Sequence, residues 1–196
     1  MKDCFRIENL GCSIGPRSLF DGLGVTLSPG CLLVVKGENG SGKTTFLQAV
    51  AGIRKPASGC FAYPEGVTQP LYISHRQGVN PDFTVREMME FWAGLLGDDK
   101  LIAPALHYFD LEPYADFRCG DLSMGWRQRV SLSRLLYIPS SLWVLDEPTS
   151  HLDDAGISLF NSLVISRIEQ GGIVVMSTHA QIFNDDIKVL YINDFV

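Results

Sequence analysis

The chain has 196 residues, which is enough for one domain with a sizeable hydrophobic core and too few for two such cores. Its composition, 46% hydrophobic and 19% charged, is typical of a globular protein and excludes a disordered chain. The net charge of −6 argues against nucleic acid as the main partner, because that role usually requires a basic face. The longest aliphatic runs are of strand length, far below the roughly 20 residues that span a bilayer, and no secretory signal is recognisable. We therefore expect no membrane span.

The first strong element is a strand, followed by a glycine-rich loop and a helix. An unbroken apolar run occupies residues 31–35, and a helical pattern extends from Thr44 to Ala51. The loop between them reads G-E-N-G-S-G-K-T from Gly37 to Thr44, which matches the pattern G-x-x-x-x-G-K-[ST]. Because this motif lies between a strand and a helix, it predicts a nucleotide-binding P-loop.

Each part of this loop has a predicted task. Its backbone N–H groups and the helix N-terminus face the phosphates, and Lys43 supplies a positive charge for the β- and γ-phosphates. Thr44 places its hydroxyl on Mg²⁺. The predicted ATP-binding residues are Gly37, Asn39, Gly40, Ser41, Gly42, Lys43, Thr44 and Thr45.

The middle third of the chain shows helical patterns and no strong strand. Thr84 followed by Glu87 predicts a capping box at the start of a helix. A second helix is expected from Leu101 to Phe109, interrupted by Pro104. We therefore predict a helical subdomain at residues 76–120, inserted in a nucleotide-binding α/β core of residues 1–75 and 121–196.

A later strand, Leu142 to Leu145, ends in the carboxylates Asp146 and Glu147. Ligands bind at the carboxyl edge of open α/β sheets, so this pair is expected at the P-loop. Asp146 is predicted to hold the Mg²⁺ shell and Glu147 to polarise the attacking water. A helix from about Ala155 to Gln170 and a strand at 173–177 continue the alternation, which indicates a parallel sheet with helices packed on it.

A third motif lies in the sequence between the P-loop and the pair Asp146–Glu147. Residues 122–129 read L-S-M-G-W-R-Q-R and resemble the L-S-G-G-Q signature of the ABC ATPase family. Ser123 starts a predicted helix that extends to about Tyr137, so its hydroxyl and the adjacent N–H groups form a second anion site. The resemblance implies a head-to-tail homodimer, in which ATP lies between the P-loop of one chain and Ser123 and Gly125 of the other.

The resemblance also implies a fold and further site residues. The family fold is a P-loop α/β fold with a mostly parallel core sheet flanked by helices, an antiparallel N-terminal β part and a helical subdomain. Ser150-His151-Leu152-Asp153 resembles the D-loop, with Asp153 as its acidic residue. Ser177-Thr178-His179 resembles the switch loop, in which His179 would contact the γ-phosphate and help to orient the water.

The sequence departs from the family at three places. Met124 and Trp126 replace the usual Gly and Gln of the signature, and Trp lacks the amide that Gln would offer, which predicts slow hydrolysis or a weakened dimer. No aromatic residue occurs from Cys12 to Arg17, where the family's adenine-stacking side chain is expected, so base recognition is weak or another side chain supplies it. His75 occupies the expected Q-loop glutamine position, and Gln77 follows two residues later, so both remain candidates.

Tyr72-Ile73-Ser74-His75, followed by Gly78-Val79, is similar to the Q-loop of cytochrome c maturation haem-exporter ATP-binding subunits. This resemblance implies an ATP hydrolase that uses Mg²⁺ with ATP and works with integral membrane transporter subunits. Its expected location is peripheral, on the cytoplasmic face of the inner membrane.

Three alternatives stay open at this stage. One is the ATPase subunit of another ABC exporter. Another is a non-transport ABC switch acting on nucleic acid or the ribosome, although such proteins usually carry tandem domains, coiled coils or basic extensions. The last is a P-loop kinase or GTPase, which the signature segment, Glu147 and the lack of an N-K-x-D sequence argue against.

Overall fold

The structure is a computed structural model that describes residues 4–63, 69–178 and 187–195. The strands among these residues are β1 (Phe5–Ile14), β2 (Arg17–Leu27), β3 (Leu32–Lys36), β4 (Ser58–Ala62), β5 (Leu71–Ile73), β6 (Leu142–Asp146), β7 (Ile173–Ser177) and β8 (Ile187–Tyr191). The α-helices are α1 (Lys43–Val50), α2 (Val85–Leu96), α3 (Ile102–Tyr108), α4 (Met124–Tyr137) and α5 (Asp154–Glu169). None of these helices combines the length and apolar character that crossing a bilayer requires.

The strands form two sheets. The order in the smaller sheet is β2-β1-β4, and both of its strand pairs are antiparallel. The order in the larger sheet is β5-β6-β7-β3-β8, and β3 runs parallel to β7 and β8, as β6 does to β7. The predicted fold class is therefore confirmed, including the antiparallel β part at the N-terminal side.

The central parallel strands are buried on both faces, as is typical of parallel sheets. All five residues of β6 and of β7 are buried, as are the first four of β3. Their continuous apolar runs match the strand type that helices cover on both sides of a sheet. Leu33, Val144 and Val175 from these strands share one core with Phe46 and Leu47 of α1.

The contacts between residues divide the chain into two compact units. The first comprises Met1–Tyr72, Ser140–Glu147 and Val164–Val196 and contains nearly all the strands; the second comprises Ile73–Pro139 and Pro148–Leu163 and is mainly helical. The predicted subdomain at residues 76–120 falls inside the second unit. As a functional division of the chain, 76–120 remains a prediction.

Helix α2 begins as the sequence predicts, whereas α3 does not follow its prediction. The capping box at α2 is confirmed, because Thr84 Oγ1 accepts from the Glu87 N–H at 3.1 Å while a Glu87 carboxylate oxygen accepts from the Thr84 N–H at 2.8 Å. The predicted interruption at Pro104 is wrong, because α3 runs through it. Pro104 is the third helical residue, and N–H groups in the first turn have no partner within the helix. Its missing donor therefore costs α3 no hydrogen bond.

Replacing Thr84 with alanine is expected to destabilise the protein by about 0.5–2 kcal/mol, because it removes the hydroxyl that accepts from the Glu87 N–H, while the bond from the Thr84 N–H to Glu87 can remain. Each kcal/mol should lower the melting temperature by about 2–4 °C in a chain of this size. Thermal unfolding followed by circular dichroism measures the change. Thr84→Ser keeps the hydroxyl and is the matched control, and equal melting temperatures for Thr84→Ala and the parent would contradict the prediction.

Candidate nucleotide-binding site

The P-loop occupies the turn between β3 and α1. Gly42 is the N-cap of α1 in a left-handed conformation, with φ of 106°, and it makes no side-chain cap hydrogen bond. The first N–H groups of α1 therefore keep their donor capacity for a ligand, and the positive end of the helix dipole faces the same place. The predicted strand–loop–helix context is confirmed, and it has the geometry of an anion site.

Lys43 lies over this loop. Its Nζ donates to the carbonyl oxygens of Gly37 at 2.8 Å and Glu38 at 3.0 Å. These bonds hold a positive charge at the loop, where phosphate oxygens would meet it. Thr45 differs from its neighbours because its side chain is on the buried face of α1, 6% exposed. Any role of Thr45 in binding would therefore depend on its backbone N–H.

Thr44 and Asp146 come together although 102 positions separate them in the chain. Thr44 Oγ1 donates to Asp146 Oδ2 at 2.8 Å. The other carboxylate oxygen, Oδ1, accepts from Ser177 Oγ at 2.8 Å. Asp146 is 1% exposed, and a buried carboxylate is stable only when such donors surround it. The two predicted metal ligands thus lie within hydrogen-bonding distance of each other.

Ser177 had no predicted role apart from its place in the switch loop, and it is the residue that joins the strand ends. It lies opposite Asp146 in the β6–β7 register and opposite Val35 in the β3–β7 register. Its hydroxyl holds Asp146, and its carbonyl and hydroxyl oxygens both accept from the Glu147 N–H at 3.1 Å. Parallel strands end at one edge of a sheet. Pairing the predicted strand at 142–146 with the one at 173–177 could therefore have predicted that Ser177 lies beside Asp146.

Glu147 sits in an unusual backbone conformation. Its φ is 50°, in the left-handed region that non-glycine residues seldom adopt. Such conformations cost of order 1–3 kcal/mol and persist where surrounding contacts impose them. Here the bonds from its N–H to Ser177 supply that constraint. The backbone of the predicted water-polarising residue is therefore held at one position beside Asp146.

Tyr72 contributes a buried hydroxyl to the same side of the sheet unit. Burial, together with the negative charge of Asp146, raises the pKa of Tyr72 to about 12, so the hydroxyl stays neutral. The oxygen lies near Gln48 and Asp146 but makes no hydrogen bond of normal geometry among the described residues. Sequence reasoning used Tyr72 only as part of the Q-loop resemblance.

The signature and D-loop form one block within the helical unit. Ser123 is the N-cap of α4, and its Oγ accepts from the Trp126 N–H at 3.3 Å, as predicted for the helix start. Gly125 packs so closely that a Cβ there would lie 2.7 Å from the carbonyl oxygen of His151. Any side chain at Gly125 would push the two segments apart.

An arginine ties this block together. Arg129, buried to 5% exposure of its side chain, donates to Asp153 Oδ1 at 2.8 Å and to Asp110 Oδ2 at 2.9 Å. The bond from Arg129, together with one from the Gly156 N–H, holds the pKa of Asp153 below its usual value. The D-loop carboxylate is therefore ionised and oriented by contacts within its own unit.

Trp126, the departure at the fifth signature position, has a packing role. The Arg129 guanidinium lies 4.7 Å from the centre of its ring, and the Tyr114 ring is 4.4 Å away between centroids. Both distances are in the range of favourable cation–π and aromatic contacts. Met124, the other departure, is 51% exposed.

The two Q-loop candidates differ in their surroundings. Gln77 is buried, with φ of 65°; its Nε2 donates to the Met124 carbonyl at 3.0 Å, and its own carbonyl accepts from Ser131 Oγ at 2.8 Å. Its side chain is therefore bound to the start of the signature helix. His75 is exposed. The switch histidine His179 lies outside the described residues, so its predicted role stays a prediction.

Comparison with known proteins defines the class of this fold and site. A family profile described as ABC transporter matches residues 20–150. An ABC transporter ATP-binding protein from Pyrococcus furiosus has the same fold, with a TM-score of 0.82 over 98% of both chains at 21% identity. A metal-chelate type ABC transporter in an inward-facing conformation matches with a TM-score of 0.74, covering 90% of this chain and 73% of that one at 28% identity. The chain belongs to the ABC transporter ATP-binding family, which confirms the main prediction from its motifs.

Curated relatives indicate which subfamily of ABC transporter ATP-binding proteins the chain resembles. The chain is 38% identical to cytochrome c biogenesis ATP-binding export protein CcmA 2 of Cupriavidus metallidurans, over 89% of both sequences. It is also 38% identical to the CcmA protein of Paramagnetospirillum magneticum, over 97% of this chain and 94% of that one. The predicted similarity to the cytochrome c maturation subfamily is therefore confirmed.

Proposed function

We propose that this chain is the ATP-hydrolysing subunit of an ABC exporter of the haem-exporter type, which acts in c-type cytochrome biogenesis. The observation that carries the catalytic part is the network of Thr44, Asp146, Ser177 and Glu147 at the edge of the sheet that bears the P-loop. This network supports the proposal, because it brings the proposed Mg²⁺ ligands Thr44 and Asp146 and the constrained Glu147 together. The subfamily assignment is supported by relatives named as cytochrome c biogenesis ATP-binding export proteins.

The residues of the sheet unit carry out the proposed hydrolysis. The P-loop N–H groups and Lys43 bind the β- and γ-phosphate oxygens and stabilise the charge that spreads over them. Glu147 accepts a proton from a water molecule while the oxygen atom of that water forms a bond to the γ-phosphorus. The bond between that phosphorus and the bridging oxygen breaks, which yields ADP and phosphate. His179, by its family resemblance, would help to orient the same water.

The donor set fits Mg²⁺. Thr44 Oγ1 and Asp146 Oδ2 are hard oxygen atoms that converge at 2.8 Å. Mg²⁺ prefers octahedral oxygen ligands and usually takes few from the protein, with water and substrate phosphates completing its shell. When bound, the ion would neutralise charge on the β- and γ-phosphate oxygens.

An ATP-dependent homodimer would complete the site. Ser123 and Gly125 stand at the N-terminus of α4, where free N–H groups and the helix dipole favour an anion. Because the Arg129–Asp153 pair joins α4 to the D-loop, the block can act as one rigid element. We assign this face to the γ-phosphate of ATP bound by the partner chain.

The membrane partners are proposed to be integral transporter subunits, so that the chain works at the cytoplasmic face of the inner membrane. The helical unit offers them an apolar face on α2: Phe91 is 49% exposed, Leu95 62% and Leu96 56%. Phe91 and Leu95 lie on one side of the helix, because positions four apart lie above each other, and Leu96 is next to Leu95 at the end of the helix. Contiguous exposed apolar surface of this kind marks interaction sites.

Capture of the tagged chain from detergent-solubilised native membranes, with identification of the bound proteins by mass spectrometry, tests this function. We expect the haem-exporter membrane subunits in the eluate. Leu95→Asp places a charge on the apolar face of α2 and should lower their recovery, whereas Glu90→Gln on the same helix should not. A different permease would overturn the haem assignment, and ribosomal or DNA-associated proteins would overturn the transporter assignment.

A further inference from the structure

Gln77, in the turn after β5, is bound to helix α4 at two levels, all within the helical unit. It is 8% exposed, and its φ of 65° is a left-handed conformation that persists where surrounding contacts impose it. Its side-chain Nε2 donates to the Met124 carbonyl at 3.0 Å. Its backbone carbonyl accepts from Ser131 Oγ at 2.8 Å and from Arg134 Nη2 at 3.0 Å. One residue therefore contacts the first residue of α4 and, roughly two turns further along, its middle.

Arg134 holds the Gln77 carbonyl with a buried positive charge. Burial lowers the pKa of Arg134 to about 10, so the guanidinium is still charged at neutral pH. Among the described residues it pairs with no carboxylate; its Nε donates to the Ser131 carbonyl at 2.9 Å, and its Cζ lies 4.4 Å from the centre of the Trp92 ring. A buried charge is costly unless fixed acceptors surround it, which confines the guanidinium to this place. The backbone of Gln77 is therefore held firmly on α4.

The carbonyl that Gln77 binds belongs to the peptide unit that carries the Gly125 N–H. A trans peptide unit is planar, and its C=O and N–H point in opposite directions, so a bond that fixes the oxygen also fixes the direction of the N–H. A hydrogen bond accepted by the carbonyl also polarises the peptide and strengthens its N–H as a donor. Gly125 is confined by the D-loop as well, because a Cβ there would lie 2.7 Å from the His151 carbonyl oxygen. The direction of this N–H is therefore set by contacts from outside α4.

We propose that Gln77 is a positioning residue for the signature and not a ligand of Mg²⁺: its amide orients the peptide between Met124 and Gly125, so that the Gly125 N–H meets the ATP bound by the partner chain. Ser131 and Arg134 serve the same task, because they hold the backbone from which the amide reaches α4. The inference rests on the proposed ATP-hydrolysing function and deepens it.

Phosphate release by the full-length chain at saturating Mg²⁺-ATP measures kcat, and calorimetry with ATP at several Mg²⁺ concentrations measures binding. Gln77→Met keeps the length of the side chain but has no N–H to donate. We expect it to lower kcat by about 10- to 100-fold, the scale of a small misplacement of a catalytic group. The affinity for ATP and the Mg²⁺ concentration for half-maximal binding should stay within about twofold of the parent values. Gln170→Met removes an exposed amide bonded to Ser166 and is the control, with parental kcat expected.

Two buried hydroxyls on α4 provide a second, matched comparison. Ser131 and Ser133 are both 0% exposed, but Ser131 Oγ donates to the Gln77 carbonyl, whereas Ser133 Oγ donates to the Val130 carbonyl within the helix. Ser131→Ala should lower kcat by about 3- to 10-fold, the scale of one hydrogen bond, and Ser133→Ala should leave it within about twofold. Thermal unfolding followed by circular dichroism identifies any variant that loses activity by unfolding.

Gln77→Asn keeps an amide that is one carbon too short for Met124 and suits the left-handed φ, so it should lose kcat as Gln77→Met does. Parental kcat in Gln77→Met, or equal kcat in Ser131→Ala and Ser133→Ala, would overturn the assignment. So would a rise of more than about tenfold in the Mg²⁺ concentration that Gln77→Met needs to bind ATP, because that result makes Gln77 a metal ligand. Full turnover in every Gln77 variant sinks only this inference, whereas a parent that neither binds nor hydrolyses ATP sinks the proposed function.

Discussion

Glu147→Gln is expected to lower ATP turnover by about 10²- to 10⁴-fold while ATP binding stays intact. The amide has the size of the carboxylate but cannot take a proton from the attacking water. The backbone should not change, because the bonds from the Glu147 N–H to Ser177 do not involve the side chain. Glutamine also meets the same cost at the left-handed φ of 50° as glutamate does. Only the rate of the hydrolysis step should therefore fall.

Steady-state phosphate release measures turnover, and calorimetry with Mg²⁺-ATP measures binding. Glu169→Gln, near the end of α5, removes one exposed carboxylate elsewhere and is the matched control, expected to retain parental turnover. Unchanged phosphate release by Glu147→Gln would remove Glu147 from the role of base. Loss of ATP binding together with turnover would instead show that Glu147 is needed to bind ATP before the hydrolysis step.

Lys43→Ala should weaken ATP binding itself, by about 10- to 150-fold, which corresponds to losing one hydrogen bond between charged groups. Lys43 is placed for this role by its bonds to the carbonyls of Gly37 and Glu38, which hold its ammonium over the loop. Its removal leaves the phosphates without their point charge, although the N–H groups of α1 remain. Turnover measured below saturation should fall accordingly.

Lys188→Ala is the matched control for this change. Lys188 also donates to a backbone carbonyl, that of Thr26 at 3.0 Å, but lies on β8 outside the P-loop. Direct titration with Mg²⁺-ATP compares the variants, and Lys188→Ala should retain parental affinity. Normal ATP affinity in Lys43→Ala would exclude Lys43 from the site.

Much of the fold followed from local patterns. The apolar runs before Gly37 and Asp146 are strands, because residues buried on both faces of a sheet must be apolar throughout. Thr84 and Ser123 start helices because a hydroxyl at the N-cap satisfies an N–H that has no helical partner. Such features depend on neighbours in the chain, which is why a single sequence is sufficient to predict them.

Pro104 shows where local reasoning fails. A proline within a helical pattern predicts a break, yet its effect depends on how far it lies from the first residue of the helix. Because α3 begins at Ile102, Pro104 falls in the first turn, where no N–H is required. Helix boundaries are decided by tertiary contacts, and so the sequence pattern alone was not enough.

The sequence by itself determined the family, the P-loop and the pair Asp146–Glu147, because each is a contiguous motif whose chemistry requires its spacing. Only the tertiary structure decided that Ser177 binds both members of that pair, that Trp126 packs on Arg129, and that Gln77 is bonded to Met124 at the start of α4. Those relations join residues far apart in the chain, and they arise from strand register and side-chain packing, which no local pattern encodes.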